Sequence, residues 1–195
     1  MILIGWDIGI KNLSYCVVEY NDSEYKILDW SIIDLRSDDK KCSKISLKEL
    51  SIELYKKLEK INYFKNFDYV IIENQPVLKN PTMKSIQMIL FSYFSFKSLN
   101  VSQFKDLLLM NASNKLKVYS GEIEKETLEK INKLKSKYSR NKKFSILHTK
   151  LIIEDHKINK EKWLDFYNSN KKKDDLADSF LMILYYLKKN KLIKL

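Results

Sequence analysis

Four carboxylates stand where a purely structural account of the chain struggles: Asp7, Glu73, Asp175 and Asp178. Asp7 closes the apolar run 2–6 and Glu73 closes the apolar run 69–72, each the pattern of a buried strand that delivers an acid at its C-terminal end. Carboxylates placed at the ends of adjacent buried strands repel one another unless a cation or a lysine neutralises them. Asp175 and Asp178 are three apart in a stretch of helical periodicity, so they share one face. A favourable charge at a helix N-terminus accounts for Asp174 and Asp175, but not for Asp178, which lies inside the helix beside Ala177 and Phe180. Clustered Asp and Glu oxygens without His or Cys suit hard cations, Mg²⁺ first and Mn²⁺ as its expected substitute. Two such ions about 4 Å apart activate a water and stabilise the leaving oxygen during in-line attack on a phosphodiester. That chemistry needs no organic cofactor and no nucleophilic side chain. Asp174, four residues before Asp178, remains a rival to Asp175 as ligand.

These residues need a sheet and a closing helix to bring them together. Residues 2–6, 13–20 and 25–33 read as three strands with short connections, an antiparallel meander. Ser46 with Glu49 three residues on has capping-box spacing, and Leu47, Leu50, Leu54, Leu58 and Ile61 mark the buried face of the helix that follows. After the short strand 69–72, Asn80-Pro81 starts a second helix reaching about Lys97, apolar nearly all round. Residues 107–110 are a further strand. Residues 114–143 hold ten Lys or Arg against four Glu, a net of +6 from 10 minus 4, with no defined bounds for any helix. Residues 144–157 look helical, and 173–190 form the final helix, with Leu176, Ala177, Phe180, Leu184 and Leu187 on its core face.

At 195 residues the chain fits one domain, expected to span 1–195 with a Lys-rich insertion at about 116–160. The net charge of +11 points toward a polyanionic partner. Part of it follows from a Lys-, Asn- and Ile-rich composition with only two Arg, as an AT-rich gene produces. Cys16 and Cys42 have no metal-ligand spacing, which suggests a reducing interior. The N-terminus reaches Asp7 too soon for a signal peptide, and no apolar run approaches the roughly 20 residues of a membrane span. A soluble, intracellular protein is expected, with no membrane partner.

The order strand-Asp, meander, helix, strand-Glu, helix and final helix with D-x-x-D resembles the RNase H-like superfamily. Within it the chain is similar to RuvC-type Holliday junction resolvases, most closely those of poxviruses. The match rests on Trp6-Asp7-Ile8-Gly9-Ile10-Lys11-Asn12, on Val70-Ile71-Ile72-Glu73-Asn74-Gln75-Pro76, and on Lys172-Lys173-Asp174-Asp175-Leu176-Ala177-Asp178. The resemblance implies an α/β fold with a mixed five-stranded sheet, its first three strands antiparallel, flanked by helices. It implies a homodimeric, Mg²⁺-dependent endonuclease that resolves four-way junctions in branched DNA by paired nicks. In that family the role is recombination or concatemer processing of viral DNA, in the host cytoplasm at replication sites. Metal binding is assigned to Asp7, Glu73, Asp175 and Asp178. A lysine near the fifth strand joins the site, Lys115 by spacing, with Lys117 as its rival.

Two alternatives carry different chemistry. Actin-like ATPases and sugar kinases share the core, and their first phosphate loop reads D-x-G-x-x-N, as residues 7–12 do. They need two copies of the core and further Gly-rich loops, whereas this chain has only Gly5, Gly9 and Gly121. A non-catalytic DNA-binding module of the same fold is the other. His148 and His156 lack an acidic partner at ligand spacing and are expected on the surface. Gln75 is expected either to touch DNA or to order its loop. Phe91, Tyr93, Phe94 and Phe96 cannot all face one sheet, which places the 81–97 helix at or near a dimer interface.

Overall fold

The computed structural model describes residues 1–36, 41–78, 80–156 and 158–195. Strands β1 (Ile2–Asp7), β2 (Leu13–Asn21) and β3 (Glu24–Ile33) form an antiparallel meander. Strands β4 (Tyr69–Glu73) and β5 (Asp106–Met110) extend it in parallel, giving the order β3-β2-β1-β4-β5. The parallel register pairs Trp6 with Ile72, so β1 and β4 end side by side and each presents its acid at the same edge.

Helices α1 (Leu47–Leu58) and α2 (Pro81–Ser98) lie on one face of this sheet. Helices α3 (Lys125–Asn132), α4 (Lys137–Asp155), α5 (Lys160–Ser169) and α6 (Lys173–Lys189) follow, and the core of the other face is built from α4, α5 and α6. The capping box of Ser46 and Glu49 starts α1, and Asn80 caps α2 ahead of Pro81. Leu50, Leu54 and Leu58 are buried as the spacing predicts. Leu47, at the first helical position, is not and stays 46% exposed; Ile61 lies beyond the helix end. Among the described residues no helix is long and apolar enough to cross a membrane.

Side chains alternate across a strand, and that alternation decides where the acids go. Ile4, Trp6, Val70 and Ile72 point to α1 and α2, whereas Leu3 and Ile71 point to α6. Asp7 and Glu73 are two residues on from Gly5 and Ile71, so both fall on the α6 face. Gly5 lets α6 come close there: a Cβ at Gly5 would stand 2.3 Å from the Ser179 carbonyl oxygen and 2.7 Å from Ile183 Cγ1. The contact is fixed by a buried polar set. Ser14 Oγ and Ser179 Oγ lie 2.9 Å apart, and the Trp30 indole N–H donates to the Leu176 carbonyl at 3.0 Å.

The basic stretch 114–143, whose helices the sequence left unbounded, forms a 3₁₀ segment at Ala112–Lys117, then α3, then the start of α4. Its strongest charge lies outward, while Ser145, His148, Thr149, Ile152 and Ile153 of α4 are buried. His148 is therefore not a surface residue, as its lack of a charged neighbour suggested. It is 7% exposed, packed beside Tyr119 and Phe144, and burial lowers its pKa. His156 is half-buried against Tyr25, again with its pKa lowered by burial.

Candidate metal centre

The C-terminal edge of β1 and β4, the segment after β5 and the first turns of α4 and α6 enclose a cavity of about 530 Å³. Asp7, Glu73, Asp175, Asp178 and Lys115 all line it. Asp7, Glu73 and Asp178 each offer a carboxylate oxygen, and these atoms lie within 4.8 Å of one another. Asp7 is 8% exposed, and the Glu73 and Asp178 side chains only 12% and 16%, so little water screens their repulsion. Asp175 lies on the same wall one helical turn away, outside that tight group.

Lys115 reaches in from the 3₁₀ segment that follows β5. It is 9% exposed, bonded to Asp178 and 3.8 Å from Glu73. Burial alone would favour its neutral form, but the charges of Asp178, Glu73 and Asp7 outweigh that and hold its pKa above the ordinary value. Lys117 points elsewhere, exposed and bonded to Asn114 at 3.0 Å. Of the two lysines, only Lys115 enters the cluster.

One lysine does not balance the acids. Burial, then the charge of Glu73, pushes Asp7 well above the ordinary carboxylate range, with Lys115 pulling the other way. Burial raises Asp178 to about 6 against the pull of Lys115. Burial and the neighbouring Asp174 raise Asp175 to about 6. A second feature marks these groups: Asp175 Oδ2 and Asp178 Oδ1 are buried without a hydrogen-bond partner. A buried carboxylate oxygen left bare is costly unless something positive meets it. An all-oxygen donor set with unfilled lone pairs fits a hard divalent cation.

Asp174 is differently placed. It forms an ion pair with Lys142 of α4, and although burial works the other way, that ammonium holds its carboxyl below the usual value. Asp178 is paired with a lysine as well, but it keeps one buried oxygen bare, as Asp175 does, whereas Asp174 does not.

No family model matches the chain. An uncharacterized protein of Acanthamoeba polyphaga mimivirus, L451, is 39% identical over 151 residues. The match covers 71% of this chain but only 34% of that protein, so the chain spans about a third of its relative's length. Fowlpox virus resolvase, solved with Holliday junction DNA, aligns over 97% of this chain and 99% of its own with TM-score 0.59 and 25% identity. The yeast mitochondrial Holliday junction resolvase aligns over 97% and 80%, with TM-score 0.60 and 23% identity. Thermus thermophilus RuvC aligns over 97% of both chains, with TM-score 0.57 and 13% identity. The fold is that of the RuvC-type Holliday junction resolvases.

Within this resolvase fold, three residues near the cavity escaped the sequence reading. Gln87 is fully buried on α2, and its Oε1 accepts the Gln75 N–H at 2.7 Å and Lys84 Nζ at 3.2 Å. It therefore orders the loop that leaves Glu73, with Gln75 itself on the cavity wall. A glutamine on the buried stripe of an apolar helix was the available signal. Lys142 and Tyr138 of α4 line the cavity together with the acids. Their only signal was membership of a Lys-rich stretch, which does not distinguish one lysine from another.

Proposed function

We propose that the chain is a metal-dependent endonuclease that resolves four-way DNA junctions by paired hydrolysis of phosphodiesters. The convergence of Asp7, Glu73 and Asp178 around Lys115, with bare oxygens on Asp175 and Asp178, carries this reading. The structural likeness to fowlpox virus resolvase supports the choice of substrate. Asp7, Glu73, Asp175 and Asp178 would hold Mg²⁺, or Mn²⁺ in its place. Bound there, the metal supplies charge for the developing oxyanion and an acidified water for attack on phosphorus. Lys115, kept protonated by the three acids, would hold them at fixed separations and offer its positive charge to the entering phosphate. The 116–160 segment, read as an insertion within a single domain, would line the DNA path.

A junction resolved by two symmetric cuts calls for two sites related by a two-fold axis. The outer face of α2 supports a homodimer: Phe94 is buried against Trp6 of the sheet and Tyr93 beside Tyr55 of α1, but Met88 and Phe96 remain 44% and 66% exposed. The mimivirus relative supports a viral setting, in which the chain would process viral DNA at replication sites in the host cytoplasm.

Incubating the purified chain with a labelled four-way junction, with and without Mg²⁺, tests the reading. Paired nicks in strands of like polarity, dependent on metal, are expected. Intact junction in the presence of Mg²⁺ would refute it. Nucleotide-induced stabilisation without DNA cleavage would favour a phosphotransferase, and metal-independent junction binding without cleavage a DNA-binding module. Mixed dimers carrying one Asp7→Asn protomer should nick once and rarely resolve, whereas a monomer in sedimentation with and without DNA would leave a simple nickase.

A further inference from the structure

The start of α4 brings Tyr138, Asn141 and Lys142 to the same cavity that the carboxylates line. Tyr138 is 68% exposed, an unusual place for a large aromatic ring. The ring is also held in place. Ser136 caps α4 by accepting the Ser139 N–H at 3.0 Å, which fixes the first turn. One turn on, the Lys142 ammonium stands 5.0 Å from the centre of the ring and is tied to Asp174 on α6. One side of the phenol is thus occupied by an anchored cation, and the rest of the ring is open at the mouth of the cavity.

We infer that Tyr138 is a stacking platform for a nucleobase next to the phosphate that is cut. The inference rests on the nuclease reading above and adds how a branch would be told from plain duplex. A phosphodiester drawn toward the acids carries its flanking base into the cavity that Tyr138 also lines, where a flat apolar surface is what a base can use. Stacking one base on an aromatic ring is worth a factor of roughly 5 to 100 in affinity, and it is indifferent to sequence because every base has a π-face. Within continuous duplex both faces of a base are already covered by its neighbours. At a branch point the stack is interrupted, so a fixed, open ring rewards branched substrates over linear ones.

The test uses the full chain carrying Tyr138→Ala or Tyr138→Phe. Substrates are intact junctions, junctions with an abasic nucleotide at each position flanking the cut, and linear duplex. Tyr138→Ala should weaken junction binding and raise KM by roughly 5- to 100-fold, leave kcat within about twofold and leave linear-duplex binding unchanged. Tyr138→Phe should behave as wild type. One abasic position should erase the difference between wild type and Tyr138→Ala. Because the side chain is exposed, the thermal midpoint should not move. Equal KM values for wild type and Tyr138→Ala, or a loss that persists on every abasic substrate, would overturn the platform. A Phe variant as defective as Ala would overturn it too, in favour of a contact through the hydroxyl. If wild type binds junctions with the predicted Ala and abasic pattern yet never cuts them, the nuclease reading fails and the platform stands.

Discussion

The two faces of the sheet bury similar sets of strand residues by different means. Toward α1 and α2 the core is an aromatic nest: Trp6 packs against Tyr15, Phe64 and Phe94 with ring centroids 5.2 to 5.9 Å apart, and Phe67 meets Phe94 edge-on at 5.4 Å. Toward α6 Trp30 likewise packs on Phe166, Tyr167 and Phe180 with ring centroids 5.2 to 5.8 Å apart, but there the packing is also threaded with polar contacts, Ser14 to Ser179 and Trp30 to the Leu176 carbonyl, and it requires a glycine at position 5. Aromatic packing rewards area and tolerates small shifts, whereas a hydrogen-bonded contact at a bare glycine allows one depth and one register. The acids are on the face that allows one register. That division separates stability from site geometry, and it can be attacked from either side.

The largest effect should come from the acids. Asp7→Asn, Glu73→Gln or Asp178→Asn should each lower cleavage by about a thousandfold or more, the scale of removing a metal's several kcal/mol of transition-state stabilisation. Junction binding should survive in all three. The thermal midpoint of the metal-free protein should hold or rise by a few degrees, because repulsion is relieved. Near-wild-type cutting by any of them would remove that residue from the site. Asp175→Asn should be inactive and Asp174→Asn active, since Lys142 already occupies Asp174.

The next pair breaks the two faces separately. Phe94→Ala should cost about 3–5 kcal/mol of stability, yet the folded fraction should cut junctions at close to the normal rate. Gly5→Ala should cost about 1–3 kcal/mol through overpacking against Ser179 and Ile183, and in addition depress cleavage per folded molecule by displacing Asp178. Equal specific activities for the two variants, measured at low temperature after denaturant titration, would erase the distinction.

A smaller effect should appear with pH. Asp175 and Asp178 sit at about 6 in the folded chain, above the ordinary 3.8. Between about pH 4 and 6 the folded state then binds more protons than the unfolded one. Their stabilising contribution is present at acid pH and is lost as pH rises through about 6. The metal-free midpoint should fall over that window, and saturating Mg²⁺ should flatten or reverse the trend. A metal-free midpoint that climbs from pH 4 to 6 in wild type and not in Asp178→Asn would contradict the assignment.

The smallest effect concerns the outer basic surface. Junction binding should weaken with salt at a log–log slope of about −0.9 per phosphate contact, and replacing Lys133, Lys135 and Lys137 together should flatten it by up to about three contacts. An unchanged slope would make that stretch a solvated face.

The strands, the two caps and the final helix were legible in the sequence because each is set by local signals: alternation, capping spacing and helical periodicity. Asp7, Glu73 and Asp178 could be picked out because an acid at the end of an apolar run, or one turn inside an apolar helix face, is costly without a reason. The helices of 114–143 were not legible, since their lysines carry no periodic apolar stripe to mark a start or a face. His148 was misplaced for a related reason: its burial comes from Tyr119 and Phe144, and only Phe144 belongs to its own helix.

What the sequence determined by itself is therefore the five strands, the helices α1, α2 and α6, and the positions of the acids on them, because strand and helix periods are local. The choices among near neighbours needed the tertiary structure. Which lysine reaches the acids, which of Asp174 and Asp175 is paired, and what Gln87 orders depend on which groups arrive from other elements: Asp178 from α6, Lys142 from α4, and the Gln75 N–H from the loop after β4. Charges and hydrogen bonds act through space over a few ångströms, and a spacing in sequence does not measure that distance.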